Sequence, residues 1–580
     1  MRLLMFAVLA LLNTPTLVGA AEKAAKVYKF EPTKSISMFG LIYAVIMIVA
    51  FLYVGYISKK KTTSSDDYFT AGRGFGALSN GLAMTSNFLS LATFLGFTAL
   101  IWKLQFVLVS FIMAWLGGFT MIAILLAPSL RRWGKFTSMG FIGERFGHVA
   151  KIVSVVCMVL LAQLYLIGQM KGIGNLFQVM FHWDYMTGLI VGGLIVTAYV
   201  TIGGMYGLSY NQTLQSIILM IAFLFPTIIV LMKLGCGAGS LLPPFGYSKL
   251  VPTMIEQLPT YFDPFTTVMG KIPLTFKFYT AILFTHIFGT IGLPHIAMRY
   301  FTASSVREAK KATLWGIFFV GFIFTTTLTI GFAAKLYTVQ ELQGVQGLML
   351  NPKEADLLVL IMSQAFTPSW IAALPIAGAM AAGLSTIAGL LMVIGTGIGH
   401  DIYTTIKPNA SDPSKVKMGL LFTALGGIAT IMLALNPPDF LLTSAIWAYV
   451  VAASTFTPVL ILGIWWKGAN KIGANCGMIV GAFFSMMLWG TNGKLFGIQF
   501  VNMGPLGYLV SGLFTASAAW FVMIVISLLT GGEKDEKVRR FVDRIHGWPD
   551  YCEERYSGKT FPVGCAVVAL GLMIWSMMPY

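Results

Sequence analysis

Acidic residues are scarce in this chain. Its 580 residues include 22 Asp and Glu against 39 Lys and Arg, and charged residues make up only 11% of it, where an ordinary globular domain carries roughly 25%. A soluble protein of this length needs a continuous charged shell, which so few ionic groups cannot form. Hydrophobic residues account for 57%, so the composition is that of a polytopic membrane protein. About 20 apolar residues cross the hydrocarbon, so at roughly 40 residues per span and loop the chain has room for about fourteen helices. Cysteine is also sparse: Cys157, Cys236, Cys476, Cys552 and Cys565 are scattered without CxxC spacing, which argues against a disulfide frame or a metal cluster. The sequence has no Walker-type phosphate loop, nucleophile elbow or metal-ligand spacing. Neither an enzyme nor an ATP-driven pump is therefore expected, and no organic cofactor.

The apolar runs predict an all-α chain with spans near 36–57, 77–102, 104–128, 152–178, 186–202, 212–235, 277–298, 312–337, 370–398, 417–436, 440–465, 472–490, 506–529 and 561–578. Ahead of them, Met1-Arg2, the apolar run Leu3–Leu12 and the small residues before position 21 read as a signal peptide over 1–20. Residues 21–35 follow as a periplasmic tail. With that tail outside, 25 of the 38 bases beyond Arg2 fall on the cytoplasmic side and 13 on the other, the bias that sets orientation. The net charge of +17 thus reflects topology rather than a nucleic-acid partner, and the basic linker 531–560 is expected to meet anionic lipid.

Two spans are unusually polar. Ser79, Asn80, Thr85, Ser86, Asn87, Ser90 and Thr93 interrupt 77–102, and Pro375, Gly378, Gly383, Ser385 and Thr386 interrupt 370–398. Gly289, Gly292 and Pro294 do the same in the inner half of 277–298. Such stretches weaken or break helices, which lipid tolerates only where the freed backbone faces protein, water or an ion. Breaks opening two five-helix groups, 77–235 and 277–465, point to the midplane site of a carrier with inverted repeats. The helix at 36–57 then stands outside that core, and 472–580 forms an accessory C-terminal region.

None of the acids falls inside a span. That weakens a proton relay or a divalent-ion pump, both of which use intramembrane carboxylates, and leaves neutral oxygens to hold a monovalent cation such as Na⁺. The candidate is the hydroxyl pair Ser385-Thr386 with carbonyls near Ser86 and Leu89, beside the small Ala382 and Gly383. Equally, such hydroxyls bond back to their own helix and pack small. His286 lies mid-span, able to donate to an anion or to serve as a packing residue. Lys171 lies near the outer interface, where snorkelling is the favoured reading.

The run Gly203-Gly204-Met205-Tyr206-Gly207-Leu208-Ser209-Tyr210-Asn211-Gln212-Thr213-Leu214-Gln215 resembles the signature of the sodium:solute symporter family. Gly292-Leu293-Pro294-His295-Ile296-Ala297-Met298-Arg299-Tyr300-Phe301-Thr302 with Arg307-Glu308-Ala309-Lys310-Lys311, Asp67–Gly72, Phe94–Phe97 and His400-Asp401-Ile402-Tyr403 resemble its acetate permease branch. The resemblance covers roughly 36–530. It implies a LeuT-type 5+5 inverted repeat and cation-coupled uptake of a small monocarboxylate, acetate foremost, across a bacterial inner membrane. It also implies a sodium site of the Ser86, Leu89 and Ala382 carbonyls with the Ser385 and Thr386 hydroxyls, and a substrate site at Thr93, Phe94, His286, Gly289 and Thr290. Asn211-Gln212 departs from the Thr-Asp of many sodium–sugar members, and Asn87 stands where some acetate permeases carry Asp. The alternatives are a proton-coupled carrier of pyruvate or propionate, and an uncoupled channel or sensor.

Overall fold

A computed structural model describes residues 27–60, 64–236, 246–265, 267–268, 272–346, 348–350, 352–437, 441–491, 494–495, 498–499 and 507–578. The expected signal peptide and residues 21–26 lie outside these. The main helices are α1 (Lys34–Lys59), α2 (Ala77–Phe88), α3 (Phe97–Leu104), α4 (Leu108–Leu125), α5 (His148–Phe181), α6 (Tyr185–Lys233), α7 (Phe276–Gly292) and α8 (Pro294–Thr302). They continue as α9 (Val306–Tyr337), α10 (Leu374–Thr396), α11 (Asp412–Leu433), α12 (Leu441–Trp465), α13 (Lys471–Thr491), α14 (Gly507–Leu529), α15 (Glu536–His546) and α16 (Thr560–Met577). Strand structure is limited to two-residue pairings, among them Val27-Tyr28 beside Met349-Leu350 in parallel.

Among the described residues, eleven helices are long and apolar enough to cross a membrane, or twelve if the bent pair α7–α8 counts as one span. The chain is therefore an all-helical, multi-pass membrane protein. α10 and α12 are buried throughout the stretches that could span. α1 and α16 lie at the perimeter and expose Ile46, Val49 and Tyr53, and Val567, Val568 and Ile574. Apolar side chains turned outward on the peripheral helices are what lipid contact requires, because lipid tails are as apolar as the core.

The breaks expected in the second and seventh spans, which open the two five-helix groups, are present. α2 ends at Phe88, and Leu89 leaves the helix at φ −80, ψ 91. α7 ends at Gly292, Leu293 is extended at φ −71, ψ 112, and Pro294 opens α8 at a bend of 42°. The start of α2 is held by the Glu308 carboxylate, which accepts from the Ala77 amide at 2.8 Å, a negative charge at the positive end of a helix.

Three features differ from expectation. The polar stretch 370–398 does not break: α10 runs unbroken from Leu374 to Thr396, with Pro375 in its first turn, where proline costs no hydrogen bond. Its small residues serve close packing, since a Cβ on Gly383 would sit 2.5 Å from the Leu91 side chain. The expected spans 186–202 and 212–235 are not separated by a loop. The run α6 holds two helices, Tyr185–Thr201 and Gly204–Lys233, that meet at a kink where Gly204 leaves helical geometry at φ 55 and ψ −173.

That conformation is essentially reserved for glycine and costs another residue about 1–3 kcal/mol. Gly204→Ala is expected to lower the melting temperature of the detergent-purified protein. Gly207→Ala, whose Cβ would meet its nearest neighbour at 3.5 Å, should leave it nearly unchanged.

The third difference concerns charge. Lys171 does not snorkel: its ammonium lies 3.5 Å from Asp356, and the two side chains are 11% and 2% exposed. Burial pushes the Asp356 carboxyl above its ordinary value, with Lys171 pulling the other way. The 531–560 stretch carries seven bases and seven acids and is no free basic linker. Within it, α15 docks against the ends of neighbouring helices, and Lys467 forms a buried ion pair with Asp543 at 2.7 Å.

Candidate functional site

Where α2 breaks, its last turn lies against the middle of α10. The Ser385 hydroxyl donates to the Ser86 carbonyl at 2.6 Å and lies 2.9 Å from the carbonyl of Ala382 one turn back on its own helix. Thr386 reaches across to the Asn87 carbonyl at 3.2 Å. Ser385 thus bonds back to its own helix and also crosses to α2. Ser86, Ala382 and Ser385 contribute oxygens to one cluster, Thr386 is anchored one residue along, and Leu89 sits at the break itself. Ser86, Ser385 and Thr386 are fully buried, and all these oxygens are neutral. The grouping suits a monovalent hard cation, which prefers several oxygen ligands to one strong charge.

A polar network surrounds this cluster. From α6, Gln212 donates through Nε2 to the Ser385 carbonyl at 2.7 Å and to Asn87 Oδ1 at 3.2 Å, and its own carbonyl accepts from Ser86 at 2.7 Å. Its Oε1 accepts from Arg299 on α8. Asn87 Nδ2 donates to the His295 carbonyl at 2.7 Å, and Asn80 Nδ2 to that of Arg299 at 2.8 Å. The Pro-His-x-x-x-Arg run thereby offers its backbone and its arginine to the opening helix of the other half. Asn211, beside Gln212, turns away and donates to the Phe51 carbonyl of α1 at 3.2 Å.

The expected substrate residues are only partly gathered. Thr93 lies beside Ser90, with hydroxyls 3.4 Å apart, and the Tyr165 ring packs 6.2 Å from that of Tyr449. Tyr449 packs 5.1 Å from the His286 ring, and a Cβ on Gly289 would come within 2.8 Å of Tyr449. These residues form one buried aromatic cluster, called the aromatic chamber below for the proposal it supports. Phe94 stands apart, its ring 3.8 Å from Phe223 and close to Gly378. Thr290 faces α4, where a Cβ on Gly118 would meet it at 2.5 Å, and its hydroxyl bonds back to the His286 carbonyl at 2.7 Å.

His286 has a defined hydrogen-bonding state. The Trp115 indole can only donate, and it does so to His286 Nδ1 at 3.1 Å. Nδ1 is therefore an acceptor and the proton sits on Nε2, which is buried without a partner. Both ring nitrogens of His295, 5.6 Å from the Tyr165 ring, are likewise buried and unpartnered. Buried donors left without acceptors are costly, and an acceptor-rich ligand entering the chamber would satisfy them.

Residue-by-residue reading missed Tyr449, Tyr165 and Trp115 as chamber walls. Only the isolated phenol and indole groups within apolar runs could have marked them, because such groups seek a partner when buried.

One solved structure shares the fold. The fold of a Na⁺-coupled sialic acid symporter in its substrate-bound, outward-open state aligns at a TM-score of 0.68 with 20% identity, over 86% of this chain and 99% of that one. Weaker likenesses are MhsT in complex with L-phenylalanine, at 0.48 and 14% identity over 78% of this chain and 98% of that one, and Mhp1, a nucleobase–cation symport transporter, at 0.44 and 14% identity over 82% and 98%. Residues 68–481 match the sodium:solute symporter family, a stretch that contains both helix breaks, the oxygen cluster and the aromatic chamber. The chain belongs to the sodium:solute symporter family.

Proposed function

We propose that this protein couples Na⁺ to the uptake of a small monocarboxylate, acetate foremost, by alternating access, as a carrier and not an enzyme, in a bacterial inner membrane. The observation that carries the reading is the cross-helix grouping of Ser385 with the Ser86 carbonyl at the α2 break, between two helices, α2 and α10, that carry no carboxylate. The matched breaks after Phe88 and Gly292 support a LeuT-type 5+5 inverted repeat of about fourteen spans. In this mechanism sodium binds at Ser86, Leu89, Ala382, Ser385 and Thr386 and favours the outward-open form. The substrate occupies the chamber of Thr93, His286 and Gly289, with Phe94 and Thr290 at its margins, and its carboxylate accepts from His286 Nε2. Closure of the outer gate and rocking of the two repeats then release both inward.

The test is labelled-acetate uptake into proteoliposomes with and without an inward sodium gradient, challenged by propionate and pyruvate. Saturable uptake that rises at least tenfold with the gradient and collapses with a sodium ionophore is the expected result. Uptake driven equally by a proton gradient without sodium would replace Na⁺ by H⁺. Uptake linear in substrate and indifferent to both gradients would replace the carrier by a channel.

A further inference from the structure

Arg299 is a buried charge of an unusual kind. It is fully buried. Nη1 donates to Ser209 Oγ at 2.8 Å and Nη2 to Gln212 Oε1, while Nε has no partner. No carboxylate pairs with it among the described residues. Two other deeply placed cations are paired, Lys467 with Asp543 at 2.7 Å and Lys171 with Asp356 at 3.5 Å, and Arg145 donates to the carbonyls of Gly463 and Trp466 at 3.1 Å, where the C-terminal end of α12 favours a cation. An amide and a hydroxyl solvate the Arg299 guanidinium without cancelling its charge, so its field persists in the low-dielectric interior.

Gln212 delivers that field to the oxygen cluster. It accepts from Arg299 with one end of its amide and donates to the Ser385 carbonyl at 2.7 Å with the other, so the guanidinium stands two hydrogen bonds from Ser385. A cation entering the cluster adds a second positive charge where no carboxylate among the described residues pairs with the first. An anion bound in the same low-dielectric interior lowers the cost of both.

We propose that Arg299 makes cation binding conditional on the anion. Its fixed charge opposes sodium at the Ser86–Ser385 cluster until the substrate carboxylate arrives as counter-ion, so that each ligand tightens the other. The inference rests on the reading of this chain as a sodium-coupled monocarboxylate carrier and assigns the coupling to one residue outside both binding sites. Because linkage is reciprocal, sodium must tighten acetate by the same factor by which acetate tightens sodium.

The experiment uses the full-length protein in nanodiscs. Binding to the folded state raises thermal stability with ligand concentration, so sodium is titrated by thermal shift with and without saturating acetate. For the wild type, acetate is expected to tighten sodium at least tenfold, about 1.4 kcal/mol. Arg299→Gln should bind sodium at least tenfold more tightly without acetate and reduce the acetate effect below twofold. Gln212→Glu, which sets a carboxylate between Arg299 and the cluster, should shift sodium in the same direction. Arg299→Lys, which keeps the charge, should keep the dependence on acetate.

If Arg299→Gln does not fold, Gln212→Glu against the wild type decides. Wild-type linkage with variants indistinguishable from it overturns the role of Arg299 and leaves the carrier reading standing. So does an Arg299→Lys that loses the linkage as Arg299→Gln does. A wild type whose sodium affinity ignores acetate, propionate and pyruvate overturns both.

Discussion

Replacing Ser385 and Thr386 together by alanine is expected to abolish sodium-stimulated uptake while leaving the protein folded in the membrane. Both hydroxyls are fully buried and reach from α10 to the carbonyls of Ser86 at 2.6 Å and Asn87 at 3.2 Å. A hydrogen-bonding group facing a charge contributes about 1.5–3 kcal/mol, so losing two weakens sodium by about 3 kcal/mol or more, roughly a hundredfold. The folded state loses less. Gln212 still donates to the Ser385 backbone carbonyl at 2.7 Å, and no side chain grows larger. The measurement is acetate uptake into proteoliposomes across a sodium series, with monodispersity by size exclusion as the control for folding. A double variant whose half-saturating sodium concentration matches the wild type would remove the cation site from these residues.

Breaking the Lys467–Asp543 pair is expected to produce the largest loss of stability. The two side chains are 0% and 2% exposed and 2.7 Å apart. The Lys467 ammonium also donates to the Cys552 carbonyl at 2.5 Å, and Asp543 accepts from the Cys552 amide at 3.3 Å. The pair therefore ties the end of α12 both to α15 and to the turn beyond it. Around it, His546 meets the Ile464 carbonyl at 2.9 Å and stacks on Tyr556 at 4.2 Å.

Lys467→Met leaves Asp543 buried without its partner, a situation that costs about 3–5 kcal/mol. Removing both charges, as Lys467→Met with Asp543→Leu, is close to neutral by the same argument. The expected outcome is that limited proteolysis cuts within 531–560 much faster in the single variant than in the wild type, with the double variant close to wild type. Equal cleavage of all three would mean that the pair does not hold the segment in place.

Much of the fold was legible in the sequence because a membrane chain states its spans in composition. Every expected span contains helix, and the breaks at 77–102 and 277–298 followed from polar residues, glycine and Pro294 in otherwise apolar runs. The same logic failed for 370–398. There the small and hydroxylated residues serve close packing against Leu91 and bonding to α2 instead of a break, and local composition does not distinguish these uses. At Gly203-Gly204 the two expected helices are present, but they meet at a kink at Gly204 instead of across a loop. Lys171 was misplaced because its partner, Asp356, lies 185 residues away.

By itself the sequence determined the class: a multi-pass helical membrane protein, its few acids kept to the ends of apolar runs or beyond them, with a pair of hydroxyls set among small residues. These properties are local, since each depends on residues within one span and on the cost of burying charge in lipid. Tertiary structure alone decided which polar groups meet. Ser385 finds the carbonyl of Ser86 across 299 residues of chain, and Arg299 finds Gln212 and no acid. A hydrogen bond or an unbalanced charge is a property of two places brought together, and a linear pattern holds only one of them at a time.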